Sequence, residues 1–193
     1  MTNEKIKLGF ALTGSFCTFD AVINELEKLS EMGTYDIIPI MSANAYSIDT
    51  RFGTTEYFNN KIETICQNKI IHTIAGAEPI GPKKMLDILL IAPCTGNTIG
   101  KLANGIYDTS VTLAYKAHLR NQRPVVIAVS TNDALSVSAK NIGVLFNNKN
   151  VFFVPMRQDN PVSKETSVVA DFSKIGITLE NALIEKQVQP IFM

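Results

Sequence analysis

Two loops of small polar residues follow predicted buried strands and could bind a phosphate group. The first is Thr13-Gly14-Ser15, and the second is Pro93-Cys94-Thr95-Gly96-Asn97-Thr98. Glycine lets a ligand approach the backbone closely, and hydroxyl and amide groups donate hydrogen bonds to an anion. A helix that begins in such a loop adds the positive end of its dipole. These residues therefore predict the binding of a phosphate-bearing cofactor.

Two residues are candidate catalysts, and each also has a structural interpretation. Cys94 follows a buried strand at a predicted helix N-terminus, where the pKa of a thiol can fall. A small side chain that leaves room for a cofactor explains Cys94 equally well. His72 lies in a predicted strand and is interpreted first as a structural residue. His118 lies on a predicted helix beside Lys116 and Arg120, a position that favours a surface residue over a catalytic base.

Several other polar side chains have two interpretations. Asn97 could cap a helix, but the surrounding block favours an amide that faces a ligand. Asp108 is expected to cap the next helix rather than to do acid–base chemistry. Arg157 and Lys101 would suit a dicarboxylate substrate if they converge, because arginine binds carboxylates bidentately. The pair Lys83-Lys84 is interpreted as solvated surface charge.

Strands and helices alternate along the chain. Strands are predicted at 6–12, 35–41, 69–74, 87–92, 123–129 and 151–154. Helices are predicted at 21–31, 54–67, from 99 onward, at 109–120, 136–146 and 170–187, with an irregular loop at 76–82 and a polar loop before residue 170. The pattern predicts an α/β fold with a doubly wound, mostly parallel sheet of about six strands between helical layers. Pro39 predicts a bulge or a free sheet edge. Ligands of such sheets bind beyond the carboxyl ends of the strands.

Composition excludes several classes of protein. The 193 residues are 46% hydrophobic and carry a formal net charge of zero, which predicts one domain, 1–193, and disfavours disorder and nucleic-acid binding. No run approaches the roughly 18 apolar residues of a membrane span, so a cytoplasmic protein without a membrane partner is expected. The three cysteines are widely spaced, which favours neither disulfides nor a metal site.

The block from Pro93 to Asp108 resembles a known family. Its pattern Pro-x-x-x-Asn-Thr-x-x-Lys-x-Ala-x-Gly-x-x-Asp is similar to the hallmark of the homo-oligomeric flavin-containing Cys decarboxylase superfamily. Thr13-Gly14-Ser15 resembles the first FMN loop of that family, and Ser42-Ala43 the second. Residues 77–85, 116–124 and 153–161 resemble one branch, the dipicolinate synthase B subunits.

The resemblance implies a fold, a cofactor and a partner. It implies a flavodoxin-like Rossmann sheet, FMN at the strand ends, and assembly as trimers or multiples of trimers. The branch implies that the dehydrogenase-type A subunit of dipicolinate synthase, with NADPH, completes an enzyme that oxidises dihydrodipicolinate to dipicolinate during sporulation, in the mother cell. Combined with the loop composition, it gives the expected cofactor-binding residues: Thr13, Gly14, Ser15, Ser42, Pro93, Thr95, Asn97, Thr98, Ser130 and Asn132.

Two departures from the superfamily pattern bear on the reaction. The decarboxylases carry a Pro-x-Met-Asn-x-x-Met-Trp clamp, whereas residues 130–135 of this chain keep only its Asn, as Asn132. Their active-site His lies upstream of the Asn-Thr block, and His72 is the upstream candidate, although the loop between them is longer here. The alternatives are a decarboxylase of the phosphopantothenoylcysteine type and a non-catalytic supporting subunit.

Overall fold

The computed structural model describes residues 4–193, which form one seven-stranded sheet. Its strands are β1 Ile6–Leu12, β2 Tyr35–Met41, β3 Ile88–Cys94, β4 Val125–Thr131, β5 Val151–Phe153, β6 Met156–Asn160 and β7 Lys164–Ala170. The first five are parallel in the order β2-β1-β3-β4-β5, which is the flavodoxin-like order. β7 runs antiparallel to the end of β4, and β6 pairs with β7. The predicted α/β doubly wound sheet is confirmed, with seven strands instead of about six.

Helices cover both faces of this sheet. They are α1 Phe19–Glu31, α2 Ala43–Ser47, α3 Thr55–Cys66, α4 Ile74–Ala77, α5 Gly96–Ala103, α6 Ser110–Leu119, α7 Ala139–Phe146 and α8 Ile175–Leu183. One core cluster joins the sheet to α1, α3 and α8, and the other joins it to α5, α6 and α7. β3 is buried along its whole length because it lies between the two helical layers. Within residues 4–193, no helix combines the length and apolarity that a membrane crossing requires.

Threonine hydroxyls start four of the helices. Thr54, Thr73, Thr95 and Thr109 each accept a hydrogen bond from a backbone N–H in the first turn of α3, α4, α5 and α6, respectively. Such caps satisfy donors that a helix start otherwise leaves unpaired. Thr95 therefore fixes the point at which α5 leaves the sheet.

The third predicted strand is wrong. Of residues 69–74, Ile71 alone makes a β-bridge, and its partner is Ile40 in the edge strand β2. Thr73 then caps α4, and a 3₁₀ helix at Glu78–Ile80 continues from it, so part of the predicted irregular loop is helical. The helix cap overrides the strand tendency of the isoleucines. β2 does lie at the sheet edge, as Pro39 predicted.

The largest difference lies after β5. The predicted polar loop is the β6–β7 hairpin, and the predicted helix at 170–187 is confined to α8. Residues 157–166 of the hairpin are all exposed, so neither face has the apolar alternation that marks a half-buried strand. Asp171 ends β7 because its Oδ1 accepts hydrogen bonds from the backbone N–H and the hydroxyl of Ser173.

Candidate functional site

The loops after β1 and β3 are joined by one buried hydroxyl. Thr13 Oγ1 donates to the carbonyl oxygen of Pro93 at 2.7 Å and accepts from the backbone N–H of Thr95 at 3.0 Å. Thr13 is 1% exposed, so these hydrogen bonds are shielded from water. Thr13 thereby fixes the two predicted phosphate loops against each other.

A second contact joins the loop after β1 to the carboxyl end of β4. The hydroxyl oxygens of Ser15 and Ser130 lie 2.8 Å apart and share a hydrogen bond. The carboxyl ends of β1, β3 and β4 are neighbours in this sheet. Three segments that are far apart in the sequence therefore meet at one place.

A cavity of about 850 Å³ opens at this place. Its volume lies within the roughly 300–1,000 Å³ of small-molecule sites. Of the predicted cofactor-binding residues, those lining the cavity are Gly14, Ser15, Thr95, Asn97, Ser130 and Asn132. The hairpin supplies another wall, which includes Asp159, Lys164 and residues 167–169. The cavity is thus built from strand-end loops on one side and the antiparallel hairpin on the other.

The start of α5 contributes unpaired donors to the cavity. The backbone N–H groups of Gly96 and Asn97 have no acceptor within residues 4–193. Thr95 is the cap of this helix, so Asn97 is not, and its exposed side chain lines the cavity. The donors and the helix dipole together favour an anion at this position.

Close contact with the end of β4 and with the loop after it requires glycine at position 96. A Cβ there would lie 2.6 Å from both Thr131 Oγ1 and Asp133 Oδ1. Those two atoms are themselves hydrogen-bonded at 2.6 Å, and Asp133 Oδ1 also accepts from Ser138 Oγ at 2.9 Å. These hydrogen bonds hold Thr131 and Asp133 in place, so the segment cannot shift to make room for a methyl group on residue 96.

The remaining predicted cofactor-binding residues do not line the cavity. Ser42 caps α2 by accepting from the backbone N–H of Ala45 at 3.4 Å. Pro93 is buried and provides the carbonyl that Thr13 contacts. Thr98 is buried, and its hydroxyl accepts from Thr95 Oγ1 at 3.2 Å. Thr13, Pro93 and Thr98 are thus buried residues whose hydrogen bonds hold the cavity-lining loops in position.

The two predicted substrate-binding cations lie elsewhere. Lys101 forms an ion pair with Asp108, with its Nζ 2.8 Å from Oδ1, and this contact lowers the pKa of Asp108. Asp108 was expected to cap α6, but this prediction is wrong because Thr109 is the cap. Arg157 lines a neighbouring cavity of about 700 Å³ between α1 and the end of β7. The structure does not bring Lys101 and Arg157 together.

Neither histidine lines the cavity. His72 stacks on Tyr46, with ring centroids 3.7 Å apart and an interplanar angle of 1°. His118 is 1% exposed, so its predicted surface position is wrong. Its Nε2 lies 3.0 Å from the carbonyl oxygen of Pro124, and desolvation lowers its pKa to about 4. His118 is therefore neutral and structural.

Cys94 is fully buried at the end of β3. Burial raises the pKa of its thiol strongly, so the low pKa expected from a helix N-terminus is wrong. The titratable side chains that do line the cavity are Cys17, Asp133, Asp159 and Lys164. Among residues 4–193, no three side chains of His, Cys, Asp or Glu gather as metal ligands.

The sequence-based prediction missed the hairpin wall and two aromatic rings that line the cavity, Phe16 and Phe52. Phe16 directly follows the predicted loop Thr13-Gly14-Ser15, whereas Phe52 lies outside the predicted loops, on the segment between α2 and α3. Asn160-Pro161 is a turn signal that could have revealed the hairpin. No local signal placed Phe52 at the strand ends, because that contact depends on the path of the whole segment.

Comparison with known proteins agrees with this architecture. The profile of the Flavoprotein family matches residues 1–189. The chain is 44% identical over 187 residues to the B subunit of dipicolinate synthase from Bacillus subtilis (strain 168), which covers 97% of this chain and 93% of that protein. The crystal structure of the dipicolinate synthase B subunit from Bacillus halodurans C has a TM-score of 0.90 at 40% identity, covering 100% of this chain and 98% of that one.

A more distant structure shares the fold. The FMN-dependent cysteine decarboxylase SpaF superimposes with a TM-score of 0.69 at 21% identity, over 95% of this chain and 98% of that one. The family profile covers nearly the whole chain, and so does the alignment to the Bacillus subtilis protein. The chain therefore belongs to the Flavoprotein family.

Proposed function

We propose that this chain is the B-type subunit of a two-component dipicolinate synthase. With a dehydrogenase-type A subunit that binds the NADPH cofactor in its oxidised form, NADP⁺, it oxidises dihydrodipicolinate to dipicolinate during sporulation, in the cytoplasm of the mother cell. The hydride that the substrate loses passes to an oxidised acceptor, NADP⁺ or a flavin, and the proton passes to solvent. The observation that carries the proposal is the similarity to the B subunits along almost the full chain. The cavity at the strand ends supports it, because it offers one place for a cofactor and a small ring.

The proposed cofactor is FMN, and the donor set of the cavity suits it. The unpartnered N–H groups of Gly96 and Asn97 and the hydroxyls of Ser15 and Ser130 can donate to a phosphate or a ribityl chain. Phe16, on the same cavity wall, offers an apolar surface to a planar ring. When bound, a flavin would supply the capacity to accept a hydride.

The role of the surrounding residues is to hold these donors ready. Thr13 holds the loops after β1 and β3 against each other. Asp133 holds the loop after β4 by accepting hydrogen bonds from Thr131 and Ser138. Because the loops are already ordered, binding does not have to order them. Pro93, Thr98 and Asn132 belong to these strand-end segments, and Ser42, which follows β2, completes the proposed cofactor-binding set.

The proposed assembly is a homo-oligomer, a trimer or a multiple of it, that also contacts the A-type subunit. Three large apolar side chains near the cavity support this part of the proposal. Leu135, Val137 and Val162 are 53%, 70% and 89% exposed. All three flank the loop after β4 or the tip of the β6–β7 hairpin. Apolar groups in that position favour contact with another protein surface.

A non-catalytic supporting role is the second candidate. One observation favours it: neither Cys94 nor His72 contacts the cavity. Under this alternative, the dehydrogenase-type partner carries out the oxidation alone and this chain stabilises it. Decarboxylation of a cysteinyl peptide is disfavoured because Asn132 is all that residues 130–135 keep of the clamp.

An absorbance spectrum with FMN titration, followed by product assay with and without the dehydrogenase-type partner, tests the proposal. We expect a flavin spectrum after gentle purification and dipicolinate formation that requires both chains. Asn97→Ala should weaken FMN binding about tenfold while leaving the thermal transition unchanged. Asn147→Ala, an exposed asparagine at the end of α7, is the matched control. A colourless protein that takes up no FMN, with the partner fully active alone, would favour the supporting role.

A further inference from the structure

A tight turn between α2 and α3 brings the aromatic ring of Phe52 to the cavity and places the guanidinium of Arg51 beside that ring. We propose that Phe52 and Arg51 on this turn recognise a planar ring that carries a carboxylate. Phe52 stacks on the ring, and the Arg51 guanidinium binds the carboxylate. This inference rests on the proposed function, since it describes how the same cavity would select its substrate.

The turn is closed by its own backbone. The N–H of Thr50 donates to the carbonyl oxygen of Gly53, and the N–H of Gly53 donates to that of Thr50, each at 3.1 Å. The N–H of Phe52 also donates to Thr50 Oγ1 at 3.2 Å. Arg51 and Phe52 are therefore the two residues at the tip of a short, hydrogen-bonded turn.

The base of the turn is anchored on both sides. Asp49 Oδ1 accepts hydrogen bonds from the backbone N–H of Thr55 at 2.7 Å and from its hydroxyl at 2.9 Å. Gly53 has a φ of 152°, and a Cβ there would lie 2.6 Å from the ring of the buried Phe58. The segment packs too closely on α3 to shift freely. The backbone at the tip is thus held in one arrangement.

The ring of Phe52 forms part of the cavity wall and is partly exposed to solvent there. It is 42% exposed and lines the cavity with Phe16, Val168 and Val169. An ordered turn that leaves an aromatic ring in water is not explained by core packing. A planar ligand stacked on the ring would remove this apolar surface from water, with the added attraction of an aromatic pair.

Arg51 supplies a positive charge at the same tip. Its Cζ lies 4.9 Å from the centroid of the Phe52 ring, and no carboxylate within residues 4–193 pairs with it. By contrast, Lys164 in the cavity is paired with Asp159 at 2.5 Å. The guanidinium is therefore free to bind a ligand carboxylate in its bidentate geometry.

The two groups together define the class of ligand. Stacking needs a flat ring, and the guanidinium needs an anionic substituent on that ring. A saturated ring with the same carboxylates would keep the charge contact and lose the stack. An uncharged flat ring would do the reverse. The site therefore selects aromatic or dihydroaromatic carboxylates over both.

Titration calorimetry on the full chain with FMN added tests this assignment. The probes are pyridine-2,6-dicarboxylate, which is flat, and cis-piperidine-2,6-dicarboxylate, which is saturated. Phe52→Leu should weaken the flat probe about fivefold and leave the saturated probe unchanged, while Phe52→Tyr keeps wild-type binding. Arg51→Gln should weaken both probes about tenfold. FMN affinity should stay at the wild-type value in all three variants.

The controls separate this inference from its alternatives. Arg120→Gln removes an exposed cation at the end of α6 and should change neither probe. If Arg157→Gln weakens the probes and Arg51→Gln does not, the carboxylate is bound in the neighbouring cavity and the assignment is wrong. Wild-type protein that binds neither probe, or Phe52 variants that lose FMN instead of the probe, would also overturn it. Failure of FMN uptake or of product formation with the dehydrogenase-type partner refutes the proposed function separately, because the probes are measured by direct binding.

Discussion

Polar groups at the amino end of the parallel sheet pair with one another, whereas several at the carboxyl end have no partner within residues 4–193. Before β3 and β4, Arg123 Nη1 contacts Asp87 Oδ1 at 3.1 Å and the carbonyl oxygen of Leu86. His118 contacts the carbonyl oxygen of Pro124 at 3.0 Å. Beyond β3, by contrast, the N–H groups of Gly96 and Asn97 open onto the cavity.

This difference between the two ends of the sheet indicates that one end contributes to the stability of the fold and the other to ligand binding. Buried polar groups that satisfy each other stabilise the fold, and removing one partner leaves the other unsatisfied. Donors that stay unpaired beside a cavity contribute little to the fold and are available to a ligand. We therefore expect changes at the amino end to alter unfolding, and changes to exposed donors at the carboxyl end to alter ligand affinity.

Acid pH should give the largest effect at the amino end. The folded pKa of His118, about 4, lies below the unfolded value, so the unfolded chain binds the proton more readily. The stability from neutral, buried His118 is complete above about pH 6.5 and is lost as the pH falls toward 4, a difference of about 3 kcal/mol. Urea unfolding between pH 7 and pH 4 measures it. His118→Gln should flatten this pH dependence without changing FMN affinity at pH 7, and an unchanged slope would contradict the assignment.

At the carboxyl end, Gly96→Ala should affect both properties. The added methyl group meets Thr131 and Asp133, which are held by their own hydrogen bonds, so α5 must move away from the loop after β4. We expect a loss of about 1–3 kcal/mol in the free energy of unfolding, together with weaker FMN binding. Gly100→Ala in the same helix is the control, since its nearest contact would be an ordinary 3.5 Å. That variant should gain about 0.5–1 kcal/mol. Equal effects from the two variants would show that the close approach does not matter.

Thr13 and Ser15 allow stability and binding to be compared within one loop. Thr13→Val keeps the shape of the side chain but leaves the N–H of Thr95 without its acceptor. The carbonyl of Pro93 loses the hydroxyl of residue 13 and keeps the backbone N–H of that residue, 3.2 Å away. We expect a loss of about 1–2 kcal/mol in unfolding experiments. Ser15→Ala should stay within about 0.5 kcal/mol of wild type and should instead weaken FMN binding. The division between stability and binding fails if both variants lower stability equally.

Lys101→Gln should give the smallest effect. Its ion pair with Asp108 lies outside the cavity, and Asp108 is exposed to solvent. Exposed ion pairs contribute little to stability. We expect unfolding in urea and FMN affinity to match wild type within the error of the measurement. A clear loss of substrate affinity in the reconstituted enzyme would return Lys101 to the substrate site.

Local sequence predicted the parts of the fold whose cause is local. The apolar runs of β1, β3 and β4 are buried on both faces, so their composition alone marks them as strands of a parallel sheet. The β6–β7 hairpin could not be found in this way. Its exposed residues carry no apolar pattern, and β7 is ordered by pairing with β4 at Ser130 and Thr131.

In the candidate site, too, some features follow from local sequence and others depend on tertiary contacts. Composition and order along the chain are enough to identify the loops that are small, polar and placed after buried strands. They do not show that Ser15 meets Ser130, that Cys94 and His118 are desolvated, or that Phe52 reaches the cavity. Desolvation and contact between distant segments depend on how the helical layers pack on the sheet, and no single stretch of chain contains that information.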